Sequence, residues 1–246
     1  MRIDRFLSTT GKATRTEAKK AIRAKAVTVN GKAVTASDMH VDPINDIITF
    51  YGETVIYREH TYIMLNKPEG VVSATEDGKD KTVLELLPTD VRSDKLFPCG
   101  RLDKNTLGLM LITDNGELAH ELLSPRSHIT KSYRFKTAEP ISQEDAIRFE
   151  AGVTLADGYV TMPAKIELLG IGDEGIITLK EGKYHQIKRM MGALNNKIIY
   201  LERVTFGPLT LDEELERGEW RFLTEKEIEE LKQHKRISAE YKNGHH

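Results

Sequence analysis

Gly100-Arg101-Leu102-Asp103 puts a flexible position, a guanidinium and a carboxylate directly ahead of the apolar run at 107–112. Two other stretches could meet it. Lys131-Ser132-Tyr133 offers an aromatic ring. Residues 181–190, EGKYHQIKRM, read as a glycine turn followed by a helix with Lys188 and Arg189 near its start. Brought together, these would set one ionised acid, Asp103, beside cations and a ring. A cationic neighbour keeps a carboxylate charged by lowering its pKa below the ordinary value of about 3.9. A charge-assisted hydrogen bond of about 1.5–3 kcal/mol would also fix its direction. Spacing alone leaves a plainer reading open and favours it: Asp103 as a structural ion-pair partner and Tyr133 as a core ring.

Other chemistries find less support. The chain carries no GxxxxGK[ST] phosphate loop, no GxGxxG after a strand, no HExxH and no nucleophile elbow. His60, His120, His128 and His185 are scattered, so no metal site is expected. Cys99 is the only cysteine, which rules out an internal disulfide and a Cys₂His₂ zinc site; beside Pro98 it reads as packing. No apolar run approaches the roughly 20 residues of a membrane span, and the first residues lack the apolar core of a secretory signal. A cytoplasmic protein is therefore expected. The terminal Asn-Gly-His-His reads as a tag remnant.

The 246 residues suffice for a small domain plus a medium one. Net charge is −2, unevenly spread: residues 1–32 hold nine Lys/Arg against Asp4 and Glu17, leaving 27 basic and 36 acidic residues elsewhere. In this basic segment Ile3, Phe6 and Leu7 share a helical face that stops near Gly11. Thr14 and Glu17 have capping-box spacing. Arg15, Lys19 and Arg23 recur every four residues, so they line one face. Asn30-Gly31 between alternating apolar residues predicts a hairpin, and residues 42–50 a turn and a closing strand. Two short helices and a small sheet with a basic face suit RNA phosphates, with Arg2, Arg5, Lys12, Arg15, Lys19 and Arg23 as the contacts.

Residues 53–60 read as a linker. Beyond it come a strand into the Asn-Lys-Pro-Glu-Gly turn at 66–70, a short helix ended by Pro88, and the apolar strand after Asp103. A turn at Asn115-Gly116 and a helix stopped by Pro125 follow. In 131–137, Tyr133, Phe135 and Thr137 alternate onto one face. A helix runs from Ser142 to Gly152, then come two strands. The next helix carries Ile187, Met190, Met191 and Leu194 at i, i+3, i+4, i+7 as core. A strand and a last helix capped by Thr224 and Glu227 close the chain. Strands dominate and helices interrupt them irregularly, which predicts α+β with a mixed, largely antiparallel sheet.

The N-terminal module, through RIDRFL, TRTEAKKAI and AVTVNGKAV, resembles the S-four RNA-binding domain. NKPEG (66–70), GRLDKNTLGLMLITDNG (100–116), KSY (131–133) and EGKYHQIKRM (181–190) together resemble the RsuA-type pseudouridine synthases. Order and spacing also agree, so the likeness covers nearly the whole chain. It implies an S-four-like domain over 1–58, a catalytic domain over 59–236 with a central cleft, and a tail over 237–246. It also implies a cofactor-free, metal-free isomerase that turns uridine in ribosomal RNA into pseudouridine with base flipping, in the service of ribosome biogenesis. Asp103 would be the essential carboxylate, held by Arg101 and Lys188, with Tyr133 stacking on the uracil and Ile187 packing beneath. Lysine at 188 stands where the family often has arginine, keeping the charge but losing the bidentate fork.

Within the family, the 62–70, 181–190 and 218–227 stretches look nearest to members acting on 16S ribosomal RNA at uridine 516. Members acting on 23S RNA are the near alternative. The expected partner is 16S RNA in a small-subunit assembly intermediate, met by a monomer, with no membrane. Positive charge would gather at the cleft through Lys67, Arg101, Lys131, Lys183, Lys188 and Arg189. Two competing readings are a non-catalytic RNA-binding assembly factor and a metal-dependent RNA hydrolase; the latter needs clustered carboxylates that are not evident.

Overall fold

The computed structural model describes residues 1–10, 12–57, 59–89 and 91–233. The expected stop at Gly11 and the tail over 237–246 lie outside them. The chain divides into two compact units, Met1–His60 and Thr61–His246.

In the first unit α1 (Ile3–Thr9) and α2 (Arg15–Arg23) pack on a sheet built from β1 (Val27–Val29), β2 (Lys32–Ala33), β3 (Ile48–Phe50) and β4 (Glu53–Thr54), in the order β2-β1-β3-β4. Ile3, Phe6 and Leu7 are buried with Ala18, Ala21 and Ile22. The Thr14 hydroxyl accepts from the Glu17 N–H at 3.2 Å, and the Glu17 carboxylate accepts from the Thr14 N–H at 2.8 Å. This reciprocal pair satisfies two orphan donors at the start of α2. The apolar face of α2 then turns Arg15, Lys19 and Arg23 outward, and all three are exposed. Asn30 and Gly31 (φ 51° and 79°) make the β1–β2 turn. Residues 53–60 do not behave wholly as a linker. Tyr51 and Gly52 also adopt positive φ, fold the chain back, and let β4 pair with β3 and Val55 enter the core.

The second unit is α+β. Its strands are β5 (Tyr62–Lys67), β6 (Phe97–Pro98), β7 (Leu107–Thr113), β8 (Lys131–Thr137), β9 (Lys165–Leu169), β10 (Glu174–Leu179), β11 (Ile198–Phe206), β12 (Leu209–Thr210) and β13 (Trp220–Phe222). They form one mixed sheet in the order β13-β5-β7-β11-β8-β10-β9, with β6 on β7 and β12 on β11. The helices are α3 (Gly116–Leu123), α4 (Gln143–Ala151), α5 (Gln186–Ala193) and α6 (225–233). The short helix expected before Pro88 is a 3₁₀ turn, Val83–Leu86. Asn115 caps α3 rather than making a separate turn: its side-chain oxygen accepts from the Leu118 N–H at 2.9 Å.

Helices cover both faces of the sheet. Ile63, Leu65, Met110, Ile112 and Phe135 pack on one side with Phe149, Met190 and Met191. Tyr62, Met64, Leu109 and Leu111 pack on the other with Leu118, Leu122 and Leu231. That explains why β5 and β7 are continuous apolar runs instead of alternating ones.

Two antiparallel halves meet at a single parallel seam, β7 with β11, held by Leu107 opposite Glu202 and Gly108 opposite Arg203. A Cβ on Gly108 (φ 96°) would lie 2.3 Å from the Arg203 carbonyl oxygen. Only glycine allows this approach. Gly108→Ala is therefore expected to destabilise the chain by about 3 kcal/mol or more, read as a lowered urea midpoint at unchanged slope.

Candidate active site

The loop 100–106 enters β7 and is held from below by the 66–73 segment. Lys67 is fully buried, and its ammonium donates to the carbonyls of Pro68 (3.0 Å), Lys104 (3.2 Å) and Thr106 (2.8 Å). The Gly70 N–H donates to the Lys104 carbonyl at 2.9 Å. The Ser73 hydroxyl donates to the Leu102 carbonyl and accepts from the Leu102 N–H, at 2.9 and 3.0 Å. Within the loop the Thr106 N–H donates to the Asp103 carbonyl at 3.0 Å. Asp103 thus sits on backbone pinned at residues 102, 104 and 106.

Across from it, the turn before α5 is tied down by Glu181, whose carboxylate accepts from the Tyr159 hydroxyl (2.7 Å), the Met162 N–H (2.8 Å) and the Gln186 amide (2.6 Å). The Gln186 side-chain oxygen in turn accepts from the Lys183 N–H at 2.8 Å. His185, in the left-handed conformation (φ 49°), opens the helix. Lys188 then reaches Asp103 Oδ2 at 2.7 Å and also donates to Asn105 Oδ1 at 2.7 Å. His185 Nε2 lies 3.3 Å from Asp103 Oδ1. Asp103 and Lys188 are each about a quarter exposed (26% and 25%), open to a ligand.

Asp103, His185 and Lys188 line a cavity of about 300 Å³ with Arg101, Tyr133 and Ile187. Tyr133 and Ile187 are buried in its wall, with Leu179 and Leu201 beside them. A charged rim over an apolar, aromatic wall suits a planar ring brought edge-on to a carboxylate.

The structure brings Asp103, Tyr133, Ile187, Lys188 and Arg101 to one place, but not in every expected contact. Arg101 is exposed and makes no ion pair among the described residues, so the cation that holds Asp103 is Lys188, with His185 Nε2 close by. An ammonium can donate to Asp103 and Asn105 in different directions, a task a planar fork performs less well. His185 is a site residue that the motifs do not mark; its spacing of three from Lys188 across a helix start puts both on one face.

The expected cleft charges also need correction. Arg101, Lys131, Lys183 and Lys188 do line the cavity, Lys183 also lying 5.0 Å from the Tyr159 ring centroid, but Lys67 is interior and Arg189 pairs with Asp157 away from it. Of the basic-module residues, Arg2 pairs with Asp4 at 2.8 Å and Lys12 with Glu53 at 3.3 Å, while Arg5, Arg15, Lys19 and Arg23 are exposed. The Cys99 thiol is buried and pushed up to about 11 by that burial, so it is no nucleophile. Among the described residues no His/Cys/Asp/Glu group could hold a metal, and no helix is long and apolar enough to cross a membrane.

A small basic module joined to a unit with a clamped carboxylate in a ring-sized cavity defines an RNA-modifying enzyme. Residues 61–193 match the family model for RNA pseudouridylate synthase, and residues 1–48 match that of the S4 domain. An uncharacterized RNA pseudouridine synthase of Bacillus subtilis is 45% identical over 93% of this chain and 97% of its own length. Ribosomal small subunit pseudouridine synthase A of Haemophilus influenzae is 39% identical over 94% and 99%, and that of Escherichia coli 38% over 93% and 98%. A solved pseudouridylate synthase superposes with TM-score 0.66 at 38% identity, covering 94% of this chain and 99% of that one. The chain belongs to the RNA pseudouridine synthase family, in its RsuA-type branch with an N-terminal S4 domain, and is an isomerase.

The Lys67 ammonium links these parts. Burial lowers its pKa from the ordinary 10.5 to about 8, although Asp103 and Glu69 pull the other way. Between those values the unfolded chain binds more protons than the folded one, so this group's destabilising share is full below about 8 and is relieved as pH rises toward 10.5. Wild-type stability relative to Lys67→Met should therefore rise between pH 8 and 10, measured by urea unfolding. Lys67→Met should also slow catalysis, because the carbonyls that fix the Asp103 loop lose their common donor.

Proposed function

We propose that this protein converts uridine 516 of 16S ribosomal RNA to pseudouridine, without cofactor or metal, acting on a small-subunit assembly intermediate as a cytoplasmic monomer. The observation that carries the chemistry is the Asp103 carboxylate clamped by Lys188 at 2.7 Å at the edge of a cavity with Tyr133 and Ile187 on its wall. The small-subunit target is supported by relatives named ribosomal small subunit pseudouridine synthase A that align over nearly their full length.

In this reading the uridine leaves its stack and enters the cavity. Tyr133 stacks on the base, and Ile187 closes the far side. Asp103 presents its charge to the ribose C1′ while Lys188 and His185 hold its direction. The base detaches through N1, turns, and rejoins through C5. No atom is gained or lost, so the residues need only orient the fragments and exclude water. Arg101, unpaired with Asp103, faces the incoming RNA. Extrusion of the base costs about a few kcal/mol, which phosphate contacts from Arg2, Arg5, Lys12, Arg15, Lys19 and Arg23 offset.

Two experiments test the proposal. Pseudouridine should be missing at position 516 of 16S RNA in cells lacking this protein. Wild type should restore it and Asp103→Asn should not; a signal lost from 23S RNA instead would reassign the target. Replacing Arg15, Lys19 and Arg23 by Glu should weaken RNA binding and flatten the slope of log K against log salt by about 2–3, with the cavity's chemistry on a bound uridine unaltered.

A further inference from the structure

Arg203 is a buried cation and Lys131 a half-buried one, and among the described residues neither has a carboxylate at ion-pair distance. Arg203 is 1% exposed. Its Nε donates to the Leu109 carbonyl at 2.8 Å, its Nη2 lies 3.9 Å from the Met110 sulfur, and its guanidinium sits 5.0 Å from the Phe206 ring centroid. Nη1 has no hydrogen-bond partner among the described residues. Lys131 Nζ donates to the Ile129 carbonyl at 3.0 Å and lies 5.8 Å from the same ring. Burial, reinforced by the charge of Arg203, lowers the Lys131 pKa to about 8. An interior guanidinium beside a half-buried ammonium, with no counter-ion at hand, is costly, so their persistence calls for an anion that arrives.

Their position says which anion. Both line the same cavity as Asp103. Arg203 pairs in register with Tyr133, and Lys131 is two residues from Tyr133 on β8, so all three share a face of the sheet. The hydroxyl of Thr106, on the same lining, is buried and has no hydrogen-bond partner. Asp103, Lys188 and Lys131 are partly exposed while Arg203 is not, so Arg203 lies at the deeper end. A phosphodiester stays with the RNA chain at the mouth, whereas the base travels inward past Tyr133 and Ile187.

We propose that Lys131 and Arg203 form a cationic floor that binds the negative charge uracil acquires when it separates from the ribose. This deepens the reading of the cavity as a uridine site and rests on it. When the C1′–N1 bond breaks, its electron pair leaves with the base, and the charge spreads onto O2 and O4. The electron-deficient C1′ is left facing Asp103. After the ring turns, C5 returns an electron pair to C1′; a proton leaves C5 and one joins N1. Atoms and charge balance with no oxidant or reductant. The floor stabilises the separated state more than the intact uridine, which is neutral, and so speeds the step instead of merely tightening binding.

The test uses 5-nitrouracil, ionised at neutral pH, against neutral uracil and inorganic phosphate, by titration calorimetry on the full chain. Wild type should bind 5-nitrouracil at least about tenfold more tightly than uracil. Asp103→Asn should keep that preference while losing turnover, which separates the floor from the assignment of Asp103. Lys131→Met, which keeps the stem, should erase most of the preference, and Lys131→Arg should retain it. Equal binding of the two bases by wild type overturns the proposal. So does a preference untouched by Lys131→Met in a protein that unfolds at the wild-type urea midpoint. Phosphate that displaces 5-nitrouracil and loses its own binding in Lys131→Met would assign the cations to the RNA backbone and overturn it as well.

Discussion

One interior ammonium organises this protein. Among the described residues Lys67 has no charged partner at hydrogen-bond distance; its three acceptors are main-chain carbonyls, one beside it and two on the loop that carries Asp103. Desolvating a lysine is unfavourable, and only full use of its three donors makes the arrangement tolerable. The return is geometric. A loop that must expose a carboxylate to substrate cannot be fixed by burying that carboxylate, so it is fixed through its backbone by a cation from the next strand, with Ser73 and Gly70 holding either side of Asp103.

The site lies where the sheet is least regular. The two antiparallel halves touch along a parallel seam of two residue pairs, and β11 carries irregularities between Ile198 and Tyr200 and between Arg203 and Thr205. Bulges of this kind re-aim side chains. Asp103 comes from the loop before β7, Tyr133 from β8, Lys188 from the helix before β11, and Arg203 from β11 itself. Each half contributes one side of the cavity, and Gly108 sets how closely the halves approach.

What the sequence makes legible is what is local. The Thr14–Glu17 cap, the Asn30-Gly31 turn, the alternation of β8 and the apolar face of α5 all follow from spacing within a few residues. The convergence of Asp103, Tyr133, Ile187 and Lys188 is legible only through resemblance, since Asp103 and Lys188 stand 85 residues apart. Three features are hidden. Lys67 reads as a surface cation because its acceptors are carbonyls, which every residue possesses. His185 escapes notice because its only signal, a spacing of three from Lys188, straddles a helix start that a left-handed residue opens. The missing Arg101–Asp103 contact hides because adjacency in sequence says little about direction at a tight loop, where Gly100 adopts φ 86°.

Cys99 immediately precedes that loop, paired through its N–H to the Leu111 carbonyl at 2.7 Å, with its thiol wholly enclosed. As the only sulfhydryl in the chain, it can be alkylated only when the packing of β7 against its neighbours parts. The protein therefore carries a built-in clock. The rate at which this sulfur takes up a maleimide label reports how often the foundation of its catalytic loop breathes open, at a position next to the chemistry yet outside it.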